Sequence, residues 1–251
     1  MARLGRQSLL PVSVLLLLSL LMGCMAAPKV PIPCLSYRTG GTVRQRHLLV
    51  LVRGLGAGNG VFAKQGIIDE IRRRRLPFDV IAPDVHFGYY KSRTFEERFK
   101  LDIIDPARRQ GYEQIWLAGF SMGGLGCLMY VRSHPEDIDG VLLTSPFLGW
   151  RPIQREIRRA GGLAAWQRTS EDPKDWQRLL WSWIKRRDPA PPIWLGYGEN
   201  DILAAGGPPL LATVLPAERV FSVPGNHTIA TLKTLFLRQL DTLAKESAGG
   251  H

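Results

Sequence analysis

The clearest chemical signal in the chain is a serine with one glycine two residues before it and another two residues after it. Gly119, Ser121 and Gly123 form the pattern G-x-S-x-G. An apolar stretch typical of a buried strand precedes the pattern, and a stretch typical of a helix follows it. Such a turn leaves room only for glycines beside the serine, and the helix N-terminus offers N–H groups to a developing oxyanion. The context predicts Ser121 as a nucleophile; the alternative is an ordinary glycine-rich turn with an unused serine.

A serine hydroxyl is a poor nucleophile without a neighbouring base. The chain has five histidines. His227 comes directly after the last predicted strand and before the final helix, which places it at the same edge of the sheet as Ser121. His86 also follows a predicted strand and is the one competitor, with pocket lining as its expected role. The sequence therefore predicts His227 as the base.

The base needs a carboxylate that fixes its tautomer and stabilises the imidazolium. Asp201 follows the next-to-last predicted strand, and it lies between Ser121 and His227 in the chain. The order Ser, Asp, His is the one found in hydrolases with a strand-to-helix nucleophile turn. Asp201 is therefore predicted as the acid, and Glu199 and Asp84 remain alternatives.

The elements that must position these residues alternate between strand-like and helix-like segments. The predicted strands are His47–Val52, Phe78–Ala82, Gln114–Gly119, Gly140–Thr144, Pro192–Tyr197 and Arg219–Val223. The predicted helices are Ala63–Leu76, Phe95–Arg109, Met122–Ser133 and Thr228–Leu243. This alternation predicts an α/β fold with a mostly parallel sheet and helices on both faces. Ligands bind beyond the carboxyl ends of such strands.

One segment, Leu148–Pro191, interrupts the alternation. It contains two helix-like pieces, Ile153–Arg159 and Pro173–Arg186, and five of the seven tryptophans. Two compatible interpretations remain: a small helical cap whose aromatic residues line an acyl or aryl pocket, or tryptophans that pack the insertion onto the domain. The predicted organisation is a core of residues 46–147 and 192–246 with a cap of residues 148–191.

The three motifs, taken in order, resemble the α/β-hydrolase superfamily from about His47 to the final helix. They are the G-x-S-x-G turn, the G-x-x-D loop that ends at Asp201 and the G-x-H loop that ends at His227. The resemblance implies an α/β-hydrolase fold, and it implies that the backbone N–H groups of Leu55 and Met122 form the oxyanion hole. It implies neither a metal nor an organic cofactor.

Arg53 is a departure from that resemblance, because many members of the superfamily have histidine there, before a glycine. Backbone donors of an oxyanion hole survive such a change. Arg53 could place a permanent charge near the pocket and favour an acidic substrate, or it could form an ion pair with Asp84. We favour the ion pair.

The predicted function is a serine hydrolase that cleaves an ester or thioester, of the carboxylesterase or lipase type, through an acyl-enzyme on Ser121. Its substrate would be a small molecule or a lipid-like acyl compound. One alternative is a membrane-anchored binding lipoprotein that retains the fold without catalysis, since fold alone does not imply activity. Another is a peptidase or a carbon–carbon bond hydrolase with the same triad. The motifs specify neither the substrate nor the oligomeric state.

The first 23 residues resemble an export signal. Arg3 and Arg6 precede an apolar stretch that is too short to span a bilayer comfortably. The following Leu21–Cys24 resembles a bacterial lipobox. The resemblance implies lipidation of Cys24, a tether over residues 24–45, and attachment to the outer membrane of a Gram-negative cell, facing the periplasm. The alternative is a secreted or periplasmic protein that is cleaved near Ala26 or Ala27.

The chain is basic, with 33 Lys and Arg against 22 Asp and Glu and a formal net charge of +11. Basic surfaces attract anionic partners. The cluster Arg72–Arg75 lacks an accompanying nucleic-acid motif, so we expect a solvated helix end and no nucleic-acid partner. Cys127 lies on a helix predicted to be buried, so a disulfide with Cys34 is not expected.

Overall fold

A computed structural model of the protein describes residues 26–186, 190–204 and 206–249. The predicted signal peptide and the predicted lipidation site, Cys24, lie outside these residues. Among the residues described, no helix has both the length and the apolar character that crossing a membrane requires.

Seven strands form one sheet in the order β1-β3-β2-β4-β5-β6-β7. The strands are β1 (Cys34–Tyr37), β2 (His47–Val52), β3 (Phe78–Pro83), β4 (Gln114–Phe120), β5 (Gly140–Thr144), β6 (Ile193–Gly198) and β7 (Val220–Val223). Strand β1 runs antiparallel to β3, and all other neighbours are parallel. The predicted mostly parallel sheet is confirmed.

Apolar side chains on both faces of the sheet make two separate core clusters. Alternate residues of a strand point to opposite faces, and β2 shows this directly. Val50 belongs to one cluster together with Trp181, whereas Leu49 belongs to the other cluster together with Phe236. All five residues of β5 are buried. The central strands are continuously apolar because helices cover both faces.

Ten helices connect the strands in the described part of the chain. They are α1 (Val61–Lys64), α2 (Ile67–Arg73), α3 (Phe87–Lys91), α4 (Phe95–Phe99), α5 (Asp105–Arg109), α6 (Met122–Ser133), α7 (Arg151–Arg159), α8 (Trp176–Arg186), α9 (Gly207–Ala212) and α10 (Ile229–Gly249). Short 3-10 turns cover Pro135–Asp137 and Ala217–Arg219.

Two predicted helices are interrupted in the structure. The segment predicted as Ala63–Leu76 divides at Gly66, which has a φ of 69° and starts α2. A left-handed backbone conformation of this kind is easy only for glycine. The segment Phe95–Arg109 is helical throughout, but a π-helical turn at Lys100–Ile104 joins α4 to α5.

The first strand corrects the prediction of a tether over residues 24–45. That range contains β1, and the backbone N–H of Ile32, just before β1, donates to Asp102 Oδ2 at 2.9 Å. The Ile32 side chain is buried. Three of the four β1 residues are exposed, so this edge strand lacks the apolar signal of a buried strand, and the prolines before it are typical of a linker.

The segment predicted as a helical cap, residues 148–191, contains α7 and α8. Two of its tryptophans are fully buried. Trp181 Nε1 donates to the Leu148 carbonyl at 2.9 Å, and Trp166 Nε1 donates to Glu156 Oε1 at 2.9 Å. These two rings pack the segment onto the domain, whereas Trp150 is exposed.

Candidate active site

The turn between β4 and α6 holds Ser121 in a strained conformation. Its φ of 53° and ψ of −117° lie where non-glycine residues are rarely found. A Cβ atom at Gly119 would lie 2.6 Å from Gly124 Cα, and one at Gly123 would lie 2.0 Å from the Val52 carbonyl oxygen. Both flanking positions therefore accept only glycine, and the packing of backbone against backbone maintains the strain at Ser121.

The loop after β2 lies directly against the serine. A Cβ atom at Gly54 would lie 3.1 Å from Ser121 Cβ. The next residue, Leu55, lines the same cavity as Ser121, and Met122 is the first residue of α6. The two residues predicted to supply the oxyanion hole thus lie on either side of the serine, one on the neighbouring loop and one on the helix.

His227 and Asp201 form a hydrogen-bonded pair after β7 and β6. The Asp201 Oδ2 atom lies 2.7 Å from His227 Nδ1. The other oxygen, Oδ1, accepts the backbone N–H groups of Leu203 at 3.1 Å and Ala204 at 2.9 Å. The carboxylate is therefore oriented on both oxygens, and only 2% of the Asp201 side chain is exposed.

The Asp201 carboxyl has a lowered pKa although it is buried. Burial alone would raise the pKa of this carboxyl, because it disfavours the charged form. The hydrogen bonds from His227 and from the Ala204 N–H outweigh the burial, so the pKa is lowered. Asp201 is ionised at neutral pH and can stabilise a positive charge on the imidazole.

Ser145, at the end of β5, also acts on Asp201 and was not singled out from the sequence. Its φ is 41° and its side chain is fully buried. Ser145 Oγ accepts the Gly198 N–H at 3.3 Å, and its hydrogen bond to Asp201 helps to lower the pKa of that carboxyl. Nothing in the local sequence distinguishes this serine, because its role depends on β5 and β6 being neighbours.

Ser121 and His227 line the same cavity, of about 300 Å³. Its other walls come from the loop after β2, from α1 and α2, and from the start of α10. They are mostly apolar and include Leu55, Val61, Phe62, Phe120, Ile229 and Leu232. No described residue of the segment 148–191 lines this cavity. The first cavity is therefore not the pocket that the aromatic residues of this segment were expected to line.

The aromatic residues of the segment 148–191 line a second cavity instead, of about 390 Å³. Trp150 and Trp176 form part of its wall. Met122, the residue after Ser121, also lines this second cavity. Arg93 and Lys174 also line it. The two cavities lie on either side of the turn that carries Ser121.

The alternative residues have other roles in the structure. His86 caps the start of α3, where its Nδ1 accepts the Gly88 N–H at 3.1 Å, and it lines neither of the two cavities. His86 therefore lines neither the cavity at Ser121 nor the one beside it. Glu199 accepts the Ser222 hydroxyl at 2.8 Å.

Asp84, the other alternative acid, is engaged by arginine. Arg53 Nε donates to Asp84 Oδ1 at 2.9 Å, and 8% of the Arg53 side chain is exposed. The favoured ion pair is therefore present. The buried guanidinium beside the oxyanion loop is held by a carboxylate and has a structural role.

A cluster of potential metal ligands lies at the far end of α6. Among the residues that the structure describes, His134, Glu136 and Asp137 place their ligand atoms within 4.8 Å of one another. Asp137 already accepts hydrogen bonds from Lys100 at 2.7 Å and from the Tyr130 hydroxyl at 2.6 Å. The hydrogen bond from Lys100 links the residues after α6 to the π-helical turn between α4 and α5. The cluster lies at the opposite end of α6 from Ser121.

Comparison with known proteins agrees with the fold. A family model described as alpha/beta hydrolase fold matches residues 47–170. The monoacylglycerol lipase of Paleococcus ferrophilus is 20% identical, with 85% of this chain and 98% of that chain covered and a TM-score of 0.54. The Staphylococcus aureus fluorophosphonate-binding serine hydrolase F is 16% identical, with 81% and 85% covered and a TM-score of 0.56.

A third solved structure, Est1E from Butyrivibrio proteoclasticus, is 14% identical, with 85% of this chain and 93% of that chain covered and a TM-score of 0.59. No curated protein sequence matches the chain. The sheet order and the family match together show the α/β-hydrolase fold. The chain has this fold, and over residues 47–170 it is similar in sequence to the α/β-hydrolase family.

Proposed function

We propose that the protein is a serine hydrolase that cleaves an ester or thioester through an acyl-enzyme on Ser121. One observation carries the proposal. The strained serine shares a cavity with His227, and a buried, ionised Asp201 holds the other side of that imidazole at 2.7 Å. A nucleophile, a base and an orienting acid are the three groups that acyl transfer by serine requires.

In the proposed first step, His227 Nε2 takes the proton of the Ser121 hydroxyl, and Oγ attacks the carbonyl carbon of the substrate. The negative charge that develops on the carbonyl oxygen is stabilised by the N–H groups of Leu55 and Met122. The carbon–oxygen or carbon–sulfur bond then breaks, and His227 returns its proton to the leaving group. Asp201 stabilises the imidazolium while it exists.

In the second step, His227 takes a proton from water, and the resulting hydroxide attacks the acyl carbon on Ser121. The second oxyanion is stabilised by the same donors, and its collapse releases the carboxylic acid and restores the serine hydroxyl. Apart from the substrate and one water molecule, all the groups used in the two steps belong to the chain.

The first cavity supports an apolar acyl group as substrate. Its volume of about 300 Å³ lies at the lower end of the range for small-molecule sites. Its walls are mostly aliphatic and aromatic, and Gln65 and Lys233 are the polar lining residues besides Ser121 and His227. The similarity of the fold to a monoacylglycerol lipase also supports a carboxylesterase-like or lipase-like substrate.

Hydrolysis of p-nitrophenyl esters of increasing acyl length tests this proposal. The wild-type protein should release p-nitrophenol, and Ser121→Ala should lose at least about three orders of magnitude in kcat. Ser133→Ala, at the other end of α6, is the matched control and should retain full activity. Ester hydrolysis that persists in Ser121→Ala would exclude the serine as nucleophile. A wild-type protein inactive on every ester would favour the non-catalytic binding protein.

We also propose that Cys24 is lipidated and anchors the protein to a bacterial outer membrane, on the strength of the lipobox-like sequence Leu21–Cys24. A diacylated N-terminus would give stable attachment, since one chain alone binds a membrane only marginally. The mass of the N-terminal peptide from the expressed protein tests this. An acyl modification should be present in the wild type and missing from Cys24→Ser, and an unmodified Cys24 in the wild type would refute it.

A further inference from the structure

Large apolar side chains are exposed around the edge of the sheet that carries Ser121. Nine such side chains are exposed among the described residues, and six of them lie at this edge. We call these six the apolar rim: Val30, Leu55, Trp150, Ile202, Leu203 and Ile229. Their exposed fractions range from 52% to 71%. A cluster of this kind marks an interaction surface or a ligand site, because single scattered residues do not concentrate at one edge.

The topology places the rim residues together. Leu55 follows β2, Trp150 follows β5, and Ile229 follows β7, so all three lie at the carboxyl ends of parallel strands. Val30 belongs to the same edge, because β1 is antiparallel and begins opposite Pro83, the last residue of β3. From β2 to β7 the rim extends over four strand spacings, or about 19 Å.

The rim is larger than the proposed substrate cavity needs. Leu55 and Ile229 line the first cavity and Trp150 lines the second. Ile202 and Leu203, which are 71% and 63% exposed, line neither of them. A small acyl group bound at Ser121 would leave these two side chains in water, so the rim fits an extended apolar surface.

Cations without acidic partners lie beside the rim. Within the described residues, Arg93, Arg151 and Lys174 form no ion pair. Arg93 and Lys174 share the second cavity with Trp150, and Arg151 follows Trp150 in the chain. The rim therefore combines apolar side chains with positive charges that can bind phosphate groups of anionic lipids.

Arginines at the end of α2, by contrast, form ion pairs with carboxylates of the same helix. Arg73 and Arg74 bind Glu70 at 2.6 and 2.5 Å, and Arg72 binds Asp69 at 3.0 Å. These side chains are satisfied within the domain.

Ala26 and Lys29, in the segment before β1, also lie at the same edge. The Ala26 carbonyl oxygen lies so close to Gly88, in the helix that follows β3, that a Cβ there would be 2.1 Å away. The Tyr89 hydroxyl donates to the Lys29 carbonyl at 2.7 Å. Cys24 is two residues before Ala26.

We propose that the apolar rim docks on a phospholipid bilayer that contains anionic lipid, with the opening at Ser121 facing the bilayer. Trp150 and the aliphatic rim residues would enter the headgroup region, where tryptophan is favoured, while the neighbouring cations bind lipid phosphates. The docking itself does not need catalysis. Only its consequence, the supply of an acyl substrate from the bilayer, rests on the proposed function.

Vesicle co-sedimentation of the full chain tests the docking. A Cys24→Ser background removes the contribution of a lipid anchor. The test variant is Val30→Ser with Ile202→Ser, two rim residues that line neither of the two cavities. The matched control is Val43→Ser with Leu101→Ser, which are 68% and 47% exposed and lie outside the rim. Vesicles of phosphatidylcholine with 30% phosphatidylglycerol are compared with pure phosphatidylcholine.

We expect the rim pair to lower the partition coefficient on anionic vesicles by about tenfold, because burial of two aliphatic side chains is lost. The control pair should bind like its parent, and binding should weaken as salt is raised. Equal losses in both pairs, no binding by the parent, or equal binding to pure phosphatidylcholine would overturn the proposal. Self-association without lipid that the rim pair abolishes would also overturn it, in favour of a second copy of the chain.

The same preparations keep this test separate from the proposed chemistry. Hydrolysis of a soluble short-chain p-nitrophenyl ester by the rim pair should equal that of the control pair. Unchanged vesicle binding with normal hydrolysis would refute the docking and leave the hydrolase intact. Altered hydrolysis of the soluble ester in the rim pair alone would refute the assignment of the rim to lipid binding.

Discussion

The amino and carboxyl ends of the parallel strands are built from different kinds of side chain. At the amino end, two carboxylates are held by partners within the domain. The buried carboxylate of Asp79 accepts hydrogen bonds from Arg38 at 2.5 Å, from the Tyr112 hydroxyl at 3.0 Å and from the Gln45 N–H at 3.2 Å. Asp139, before β5, accepts the Ile115 N–H at 2.8 Å. These two carboxylates have their hydrogen-bond partners inside the domain.

At the carboxyl end, the chain has features that cost stability. Ser121 and Ser145 have positive φ values of 53° and 41°. Six exposed apolar side chains lie at this edge, and within the described residues the neighbouring Arg93, Arg151 and Lys174 form no ion pair. Strain and unsatisfied surface that persist in a folded protein concentrate at functional sites. The comparison teaches that the amino end stabilises the fold, whereas the carboxyl end carries the proposed chemistry.

Filling the turn at the serine should have the largest effect. Gly123→Ala adds a Cβ that would lie 2.0 Å from the Val52 carbonyl, so β2 or the turn must move. We expect ester hydrolysis to vanish and the free energy of unfolding to fall by about 3 kcal/mol or more. Gly58→Ala is the matched control, because nothing lies within 4 Å of its Cβ. Denaturant unfolding and ester assays of both variants test this, and a fully active Gly123→Ala would contradict the geometry.

Removing the orienting acid should abolish most activity while the fold survives. Asp201→Asn takes away the charge that stabilises the His227 imidazolium and disturbs its tautomer. We expect kcat to fall by about three to four orders of magnitude. Glu199→Gln, two residues away on the surface, should keep kcat within a factor of about two, since its partner is the Ser222 hydroxyl. Equal losses in the two variants would remove Asp201 from its special role.

The lowered pKa of Asp201 predicts that the stability of the fold depends on pH. The folded state lowers the pKa of Asp201, so the unfolded state binds the proton more tightly. The stabilising contribution is present above the ordinary carboxyl pKa of about 3.9 and disappears as pH falls through the lower folded value. Wild type and Asp201→Asn should therefore converge in stability below about pH 4, as measured by urea unfolding from pH 3 to 7. A difference that grows on acidification would have the wrong sign.

At the amino end, substitutions should affect stability alone. Asp79→Asn removes the charge that Arg38 and Tyr112 share, and we expect a loss of about 1–3 kcal/mol. Asp79 lies near the amino end of β3, at the edge of the sheet opposite the one that carries Ser121. The kcat on a soluble ester should therefore remain unchanged below the unfolding temperature. Asp69→Asn, whose partner Arg72 is also exposed, should cost less than about 1 kcal/mol. A specific fall in kcat for Asp79→Asn would contradict the division between the two ends.

A smaller change at the same place measures one hydrogen bond. Tyr112→Phe removes the hydroxyl that donates to Asp79 at 3.0 Å, and the remaining donors stay in place. We expect a loss of about 1 kcal/mol in the free energy of unfolding. The comparison variant is Tyr37→Phe on the edge strand β1. Identical unfolding curves for Tyr112→Phe and wild type would show that this hydrogen bond does not stabilise the amino end.

Much of the fold could be predicted from the sequence, because six of the seven strands are mostly apolar runs, of which five are largely buried and β7 is half-buried. His47–Val52 and Gly140–Thr144 were predicted at their observed bounds, and the other four predicted strands differ by one residue at one or both ends. The strand β1 was missed because it is an exposed edge strand. The helices α3 and α9 were missed because five or six residues are too few to show a helical period.

The site was predictable where position after a strand decides it. Asp201 and His227 were chosen because each follows a strand of one parallel sheet, and the structure places them in hydrogen-bonding contact. Ser145 could not be found this way, because its role depends on which strand is its neighbour. The lining residues of the two cavities could not be predicted either, since they belong to several elements that are distant in the sequence.

The catalytic role of Ser121 is tested most directly by reaction of the purified protein with a fluorophosphonate, followed by mass analysis of its peptides. A single phosphonyl adduct should lie on the peptide that contains Ser121, and it should be lost in Ser121→Ala but kept in Ser133→Ala. An adduct on another residue, or one that persists in Ser121→Ala, would contradict the account.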